Sequence, residues 1–297
     1  MVKVATALEK LKSILKQDRS NEAEQILIAA FRKETGKNIS RIDFFTDIVD
    51  SYPVEALALA VRYAKERNSG KTLQYILGFQ TFFEHQYIVK TGVLVPRPET
   101  EFMVDIAIKK LSKLEQANIY GIEVGLGSGV IAIELLSKFE TLKMIGSEVS
   151  EVAVEVTKEN ATRILGRNWV QRFQIVRAKA DQVLEPFAGQ REKADFIVSN
   201  PPYLCHSDEI DEEVLSNEPK EALFPPSEDP LFFYRKIADQ SLNMLEPRGL
   251  IFLEVPHERS GKIASIFNSQ KFRVEVLKDL TGRDRVLVAQ VGVVADG

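Results

Sequence analysis

Ile119-Tyr120-Gly121-Ile122-Glu123-Val124-Gly125-Leu126-Gly127-Ser128-Gly129 runs from a short apolar segment into three glycines at alternate positions. An apolar stretch with helical spacing follows at 129–139. Glycines at such a junction permit positive φ and let a ligand approach the backbone closely. Strand, glycine turn and helix together make the opening unit of a nucleotide-binding α/β sheet. The G-x-G-x-G spacing departs from the G-x-G-x-x-G dinucleotide fingerprint, which argues against a nicotinamide cofactor. Taken alone, the loop is also compatible with a purely structural tight turn.

Downstream of this loop, apolar strands alternate with helical segments. Strand candidates lie at 119–124, 143–147, 173–177, 196–199, 250–255 and 286–291, with helical stretches at 129–139, 150–165 and 230–245. Alternation of this kind predicts a mainly parallel sheet covered on both faces, an α/β domain of Rossmann type. Upstream, residues 1–75 read as a small helical bundle. Ala23, Ile26, Leu27, Ala30 and Phe31 recur at helical spacing up to a stop at Gly36. Ser40 can cap a short segment through Phe44 and Phe45, and Pro53 suits the first position of the next helix. There Ala56, Leu57, Ala60, Val61 and Ala64 form an apolar stripe that ends near Asn68-Ser69-Gly70. Residues 76–98 change character: Phe79, Phe82, Phe83, Tyr87, Ile88, Val89, Val93 and Val95 favour short strands, with turns at Gly78 and Gly92. The predicted organisation is therefore a helical bundle over 1–75, a β-hairpin linker over 76–98 and a Rossmann-like domain over 99–297. Glu99 and Glu101 fall in the first turn of that domain's leading helix, where the positive helix end favours them.

The bulk numbers exclude several classes of function. With 297 residues, 44% hydrophobic and 28% charged, the chain can bury a large core without disulfides or metal. A net charge of −4 argues against a broad phosphate-binding surface, so direct nucleic-acid binding is not expected. The single cysteine, Cys205, has no internal disulfide partner, and no zinc-type spacing is present. No run approaches the ~20 apolar residues that span a bilayer. The first residues, MVKVATALEK, lack the apolar core of a signal peptide, and a cytoplasmic protein is expected. His85, His206 and His257 are scattered, and the acidic run at 207–213 reads as a solvated loop or helix start.

Chemistry concentrates after the strands. Glu148 follows the second sheet strand, so it emerges at the same carboxyl edge as the glycine loop, where a carboxylate can accept from both hydroxyls of a ribose. Asp181 follows the third strand and can accept from an adenine amine, with Gln182 beside the ring; a helix cap is the competing reading. Ser199-Asn200-Pro201-Pro202-Tyr203 follows the fourth. The lone pair of an amide nitrogen is delocalised into its carbonyl, so such a nucleophile needs orientation more than a strong base. Asn200 Oδ1 and the Pro201 carbonyl can each accept one hydrogen of an NH₂ group, favouring a geometry with the lone pair aimed at an electrophile. Pro201 and Pro202 stiffen the loop and donate nothing. Tyr203 can offer an aromatic face to a planar group. Methyl transfer from a sulfonium is an in-line displacement, in which positioning alone is worth ~7–11 kcal/mol in well-oriented systems.

With these residues in place, the chain resembles the release factor glutamine methyltransferases (the PrmC/HemK type) over most of its length. Gln74-Tyr75-Ile76-Leu77-Gly78 looks like that family's linker, and Val95-Pro96-Arg97-Pro98-Glu99-Thr100-Glu101 resembles its leading motif. Asp279-Leu280-Thr281-Gly282-Arg283-Asp284-Arg285 is similar to its final, antiparallel hairpin. The resemblance implies a helical bundle ahead of a methyltransferase domain, S-adenosylmethionine as methyl donor and S-adenosylhomocysteine as product. It implies a class I peptide-chain release factor as protein partner, methylated on the side-chain nitrogen (N5) of the glutamine in its Gly-Gly-Gln loop. Cofactor contacts would fall on Gly125, Leu126, Gly127, Ser128, Gly129, Glu148, Asp181, Gln182 and Asn200. Catalytic residues would be Asn200, Pro201 and Tyr203, and substrate contacts Asn200, Pro201, Pro202 and Tyr203. The chain departs from the family pattern at Glu123 and Glu148, where aspartate is more usual, at Gln182, and after Glu254, where a glycine is usual. A ribosomal-protein glutamine methyltransferase (PrmB type) shares the chemistry and is the nearest alternative. An adenine-N6 DNA methyltransferase shares only the Asn-Pro-Pro-Tyr motif and would need a basic groove. A non-catalytic module that keeps the fold to bind translation factors is the alternative of another kind.

Overall fold

The structure, a computed structural model, describes residues 1–46, 51–114, 118–189 and 193–292. These form two compact units, one of residues 1–79 with 211–217 and one of residues 80–210 with 218–297.

The first unit is helical. Helices Val4–Ile14, Ala23–Thr35 and Val54–Asn68 bury Ala7, Leu11, Ile26, Leu27, Ala56 and Ala60 among themselves. Gly36 ends the second of these in the left-handed region at φ 68°. Ser40 caps the short helix Arg41–Thr46: its Oγ accepts from Asp43 N at 3.1 Å, while Asp43 Oδ2 accepts from Ser40 N at 3.0 Å. Pro53 stands just ahead of the helix Val54–Asn68 rather than within its first turn. The acidic run at 207–213, expected to be a solvated loop or a helix start, ends in the first turn of the helix Glu212–Asn217, where Glu213 is used inside this unit. Glu213 accepts from Arg67 at 2.7 Å and Arg19 at 3.0 Å, and Arg67 also pairs with Glu22 at 2.6 Å.

A hairpin of β1 (Phe79–Phe82) and β2 (His85–Ile88) precedes the helix Pro98–Leu111 of the second unit. Val93 and Val95, expected in strands, are buried in irregular chain instead; Pro96 and Pro98 interrupt any ladder there. Glu101, in the first turn of that helix, accepts from Phe83 N at 2.9 Å and so holds the hairpin's turn.

The main sheet comprises β3 (Tyr120–Val124), β4 (Lys143–Glu148), β5 (Phe173–Arg177), β6 (Ala194–Ser199), β7 (Leu245–Glu254), β8 (Phe272–Lys278) and β9 (Asp284–Val291). Its order is β5-β4-β3-β6-β7-β9-β8. The first five strands pair in parallel, and β9 runs antiparallel to both β7 and β8. This is the mainly parallel Rossmann-like sheet with a C-terminal antiparallel hairpin. Strand alternation divides the core: β6 sends Phe196 and Val198 to one face and Ile197 to the other. Met103, Val104, Ile131 and Leu135 pack on the first face; Tyr234, Ile237, Ile263 and Phe267 pack on the second. At Gly121 an added Cβ would sit 2.2 Å from the Phe196 ring, so glycine there lets the ring cross the strand. Chain order reverses between β3 and β6, and ligands of open α/β sheets bind outside the strand ends at such a point.

Candidate active site

The carboxyl ends of β3 and β6 carry the glycine loop and the Asn200 motif side by side. Gly125, Gly127 and Gly129 all adopt positive φ, at 78°, 56° and 82°, which a side chain would strain. Gly125 N and Leu126 N both donate to Ser147 O, at 3.0 and 3.1 Å, tying the loop to the end of β4. Thr157 Oγ1 donates to Gly127 O at 3.0 Å, and Asn160 Nδ2 donates to Ser128 O at 2.9 Å. A Cβ at Gly125 or Gly127 would meet nothing within 4 Å, because that side of the loop is open. At Gly129 it would lie 2.8 Å from Thr157 Cγ2, because the helix Glu151–Leu165 packs closely there.

A cavity of about 430 Å³ opens at this edge, a size suited to a small-molecule ligand. Gly125, Gly127, Glu148, Gln182, Asn200, Pro201 and Pro202 line it. The rest of the predicted set stands elsewhere. Leu126 is buried under Gly146, and Ser128 and Gly129 are buried at the start of the helix Val130–Lys138. Asp181 is exposed and off the cavity wall. Tyr203 is half-buried against the second core face, also off the wall. Burial pushes its phenol up, with Glu254 adding to the effect.

Glu148 is the last residue of β4 rather than following it, and is buried. Its Oε2 accepts from Gly127 N at 2.7 Å, and its Oε1 accepts from Val149 N at 2.7 Å and Ser150 N at 2.9 Å. A carboxylate has about four acceptor positions. Three are taken by backbone donors, which fixes the group and leaves one position over. Glu123, beneath the loop, is fully buried, and burial pushes its carboxyl well above the usual range.

Asn200 is held from two distant parts of the chain. Its Nδ2 donates to Thr100 Oγ1 at 3.1 Å, and Thr100 Oγ1 donates to Glu254 Oε2 at 2.7 Å. Ser199 Oγ donates to Val124 O at 2.7 Å, locking the end of β6 to that of β3. Arg97, in the segment before Thr100, pairs with the buried Glu218. Sequence reasoning missed Thr100 and Glu254 as site residues, although both lie in motifs it singled out. It also missed the second side of the cavity, formed by Val93, Leu94, Pro219, Ala222 and Phe233, for which the sequence carries no local signal.

Residues 102–222 match the methyltransferase small domain family. The release factor glutamine methyltransferase of Bacteroides thetaiotaomicron is 34% identical over 220 residues, covering 73% of this chain and 75% of that protein. That of Streptococcus pneumoniae is 31% identical over 290 residues, 96% of this chain and 99% of its own. Among solved structures, the release factor-specific protein-(glutamine-N5) methyltransferase of Alicyclobacillus acidocaldarius is similar with a TM-score of 0.41. It is 26% identical over 67% of this chain and 94% of that one. The chain is a methyltransferase and belongs to the release factor glutamine methyltransferase family.

Proposed function

We propose that this enzyme transfers a methyl group from S-adenosylmethionine to the side-chain amide nitrogen of the glutamine in the Gly-Gly-Gln loop of a class I release factor. One observation carries the reading: the glycine loop with Glu148 and the Asn200-Pro201-Pro202 motif line a single cavity. An in-line transfer requires donor and acceptor in one enclosure.

The cavity residues fit the donor. Gly125 and Gly127 leave open space for it, and the remaining acceptor position of Glu148 suits a ribose hydroxyl. Gln182 lies on the wall where the base would rest, and Asp181 beside it keeps its proposed role toward the adenine amine only if its exposed side chain turns inward. When bound, S-adenosylmethionine supplies an electrophilic methyl on a sulfonium. The chain's part is to present the nucleophile. Asn200 Oδ1 and the Pro201 carbonyl accept the two amide hydrogens, and Pro202 stiffens the turn. Tyr203 is proposed to flank the planar acceptor from the loop's far end. The nitrogen–carbon bond would form as the donor's methyl–sulfur bond breaks to leave S-adenosylhomocysteine, and the amide proton leaves to solvent. The formal net charge of −4 is consistent with a protein rather than a nucleic-acid partner.

The test is incubation with methyl-labelled S-adenosylmethionine and an intact release factor. Label is expected in the Gly-Gly-Gln peptide and absent when that glutamine is replaced by alanine. Label that persists in the alanine substrate, or that enters a ribosomal protein instead, defeats this assignment.

A further inference from the structure

A primary amide has two ends of similar shape and opposite hydrogen-bonding character, so a site that uses one end must prevent rotation to the other. At Asn200 that end is selected by its neighbours. Thr100 and Glu254 are each 3% exposed, and the chain of bonds runs from Asn200 Nδ2 to Thr100 Oγ1 to Glu254 Oε2. A hydroxyl has one proton and two lone pairs. Facing an ionised carboxylate, Thr100 gives its proton to Glu254 and has only lone pairs left for Asn200. Asn200 can answer those only with its NH₂. The flipped amide would place Oδ1 against the hydroxyl oxygen with no proton between them.

We propose that Glu254 and Thr100 are positioning residues: the carboxylate aims the Thr100 hydroxyl, and the hydroxyl holds Asn200 with Oδ1 available to the acceptor nitrogen. This rests on the reading of Asn200 as the acceptor of a substrate amide hydrogen. It adds a control to that reading, because the arrangement depends on the charge of one buried group.

Protonated, Glu254 donates to Thr100 Oγ1, whose own proton is then free to turn toward Asn200. The flipped amide becomes acceptable there, and its NH₂ faces the substrate NH₂, donor against donor. Burial raises the Glu254 carboxyl to about 7, with the Thr100 hydroxyl pulling in the opposite direction. Glu99 raises it further, whereas Arg285 and Arg97 lower it. Tyr203, whose phenol burial keeps protonated, lies within its field. The Tyr234 hydroxyl donates to the Glu254 backbone carbonyl at 2.9 Å, leaving the carboxylate itself to Thr100. The switch therefore lies within reach of ordinary pH.

The experiment measures methyl transfer by the full-length enzyme from labelled S-adenosylmethionine to an intact release factor across acidic to mildly alkaline pH. Calorimetric affinity for S-adenosylhomocysteine reports that each variant is folded. Wild-type kcat is expected to fall about tenfold per pH unit below a midpoint near neutrality. Thr100→Val should lower kcat at mildly alkaline pH by about tenfold or more with cofactor affinity unchanged, and Thr100→Ser should regain most of it. Glu254→Gln, which cannot ionise, should lose the acid limb. The proposal is overturned if Thr100→Val keeps more than about half of wild-type kcat, or if the acid limb persists in Glu254→Gln. Should Thr100→Val fail to bind cofactor, the pH profile of Glu254→Gln decides. Asn200→Ala separates the two levels: an active Asn200→Ala removes the underlying reading, whereas an inactive one beside a fully active Thr100→Val removes only the positioning pair.

Discussion

The two halves of the cavity are built by different means. On the proposed cofactor side, the loop from Gly125 to Gly129 is shaped by glycine φ values and anchored by Glu148, Thr157 and Asn160, which lie 21, 30 and 32 positions from their loop partners. On the acceptor side, Asn200 depends on Thr100, 100 positions away, and Thr100 on Glu254, 154 positions away. The first half is a local motif with short-range anchors. The second is assembled only when the leading helix, β6 and β7 have all docked. The acceptor half should therefore respond sharply to single side-chain changes that leave the loop intact, and the loop should respond mainly to changes in backbone freedom.

The largest expected effect tests the acceptor half. Asn200→Ala should reduce kcat by about 10²–10³-fold, the cost usual for removing one preorganised hydrogen-bonding group from a transition state. Cofactor affinity should fall far less than kcat, since among the described residues the side chains anchoring the glycine loop are Glu148, Thr157 and Asn160. A parallel loss of cofactor affinity in calorimetry would show that the halves are not separable. Glu148→Ala tests the other half. It removes the charged partner of Gly127 N and an acceptor for the ligand, each worth about 1.5–3 kcal/mol. The cofactor dissociation constant should rise by about 10- to 100-fold. An unchanged constant would refute its cofactor-binding role.

The same contrast explains what could be read from the chain beforehand. The glycine loop, the alternation of strands and helices and the position of Asn200 after β6 are all local patterns, and each stands where its pattern placed it. β8 alternates Phe272, Val274 and Val276 with Arg273 and Glu275 on an edge strand, a period-2 pattern legible in the sequence although the strand candidates omit it. Val93 and Val95 have strand propensity, but the neighbouring prolines deny them a ladder. Thr100 reads as an ordinary first-turn residue and Glu254 as the end of a strand. Only their meeting at Asn200 gives them a role, and that meeting is tertiary. Glu148 shows a subtler gap: its position was legible, whereas its capture by three backbone donors was not.

A smaller effect separates conformation from packing within the loop itself. Gly125→Ala and Gly129→Ala both place a side chain at positive φ, which costs about 1–2 kcal/mol. Only at Gly129 does the new Cβ meet Thr157 and Ile133, at 2.8 and 3.0 Å. Overpacking adds about 1–3 kcal/mol, so Gly129→Ala should unfold at a temperature several degrees below Gly125→Ala. Equal melting temperatures would mean that the helix Glu151–Leu165 yields without cost.

A last effect is a pH dependence of stability that belongs to the acceptor half. Glu254 titrates at about 7 in the folded protein, against about 4.3 for a free glutamate side chain. The unfolded chain therefore releases this proton at lower pH than the folded one. The stability tied to the neutral carboxyl is fully present below the unfolded value and is lost as pH rises through about 7. One proton sets an upper limit of about 1.4 kcal/mol per pH unit on the slope. Other carboxylates add slopes of their own, so the comparison to make is wild type against Glu254→Gln, both melted between acidic and mildly alkaline pH. Wild type should lose ground to the variant as pH rises through this window and then run parallel to it. Curves parallel throughout would mean that folding leaves the Glu254 carboxyl at its ordinary value, in which case it is ionised and Asn200 is held in one orientation from mildly acidic pH upward.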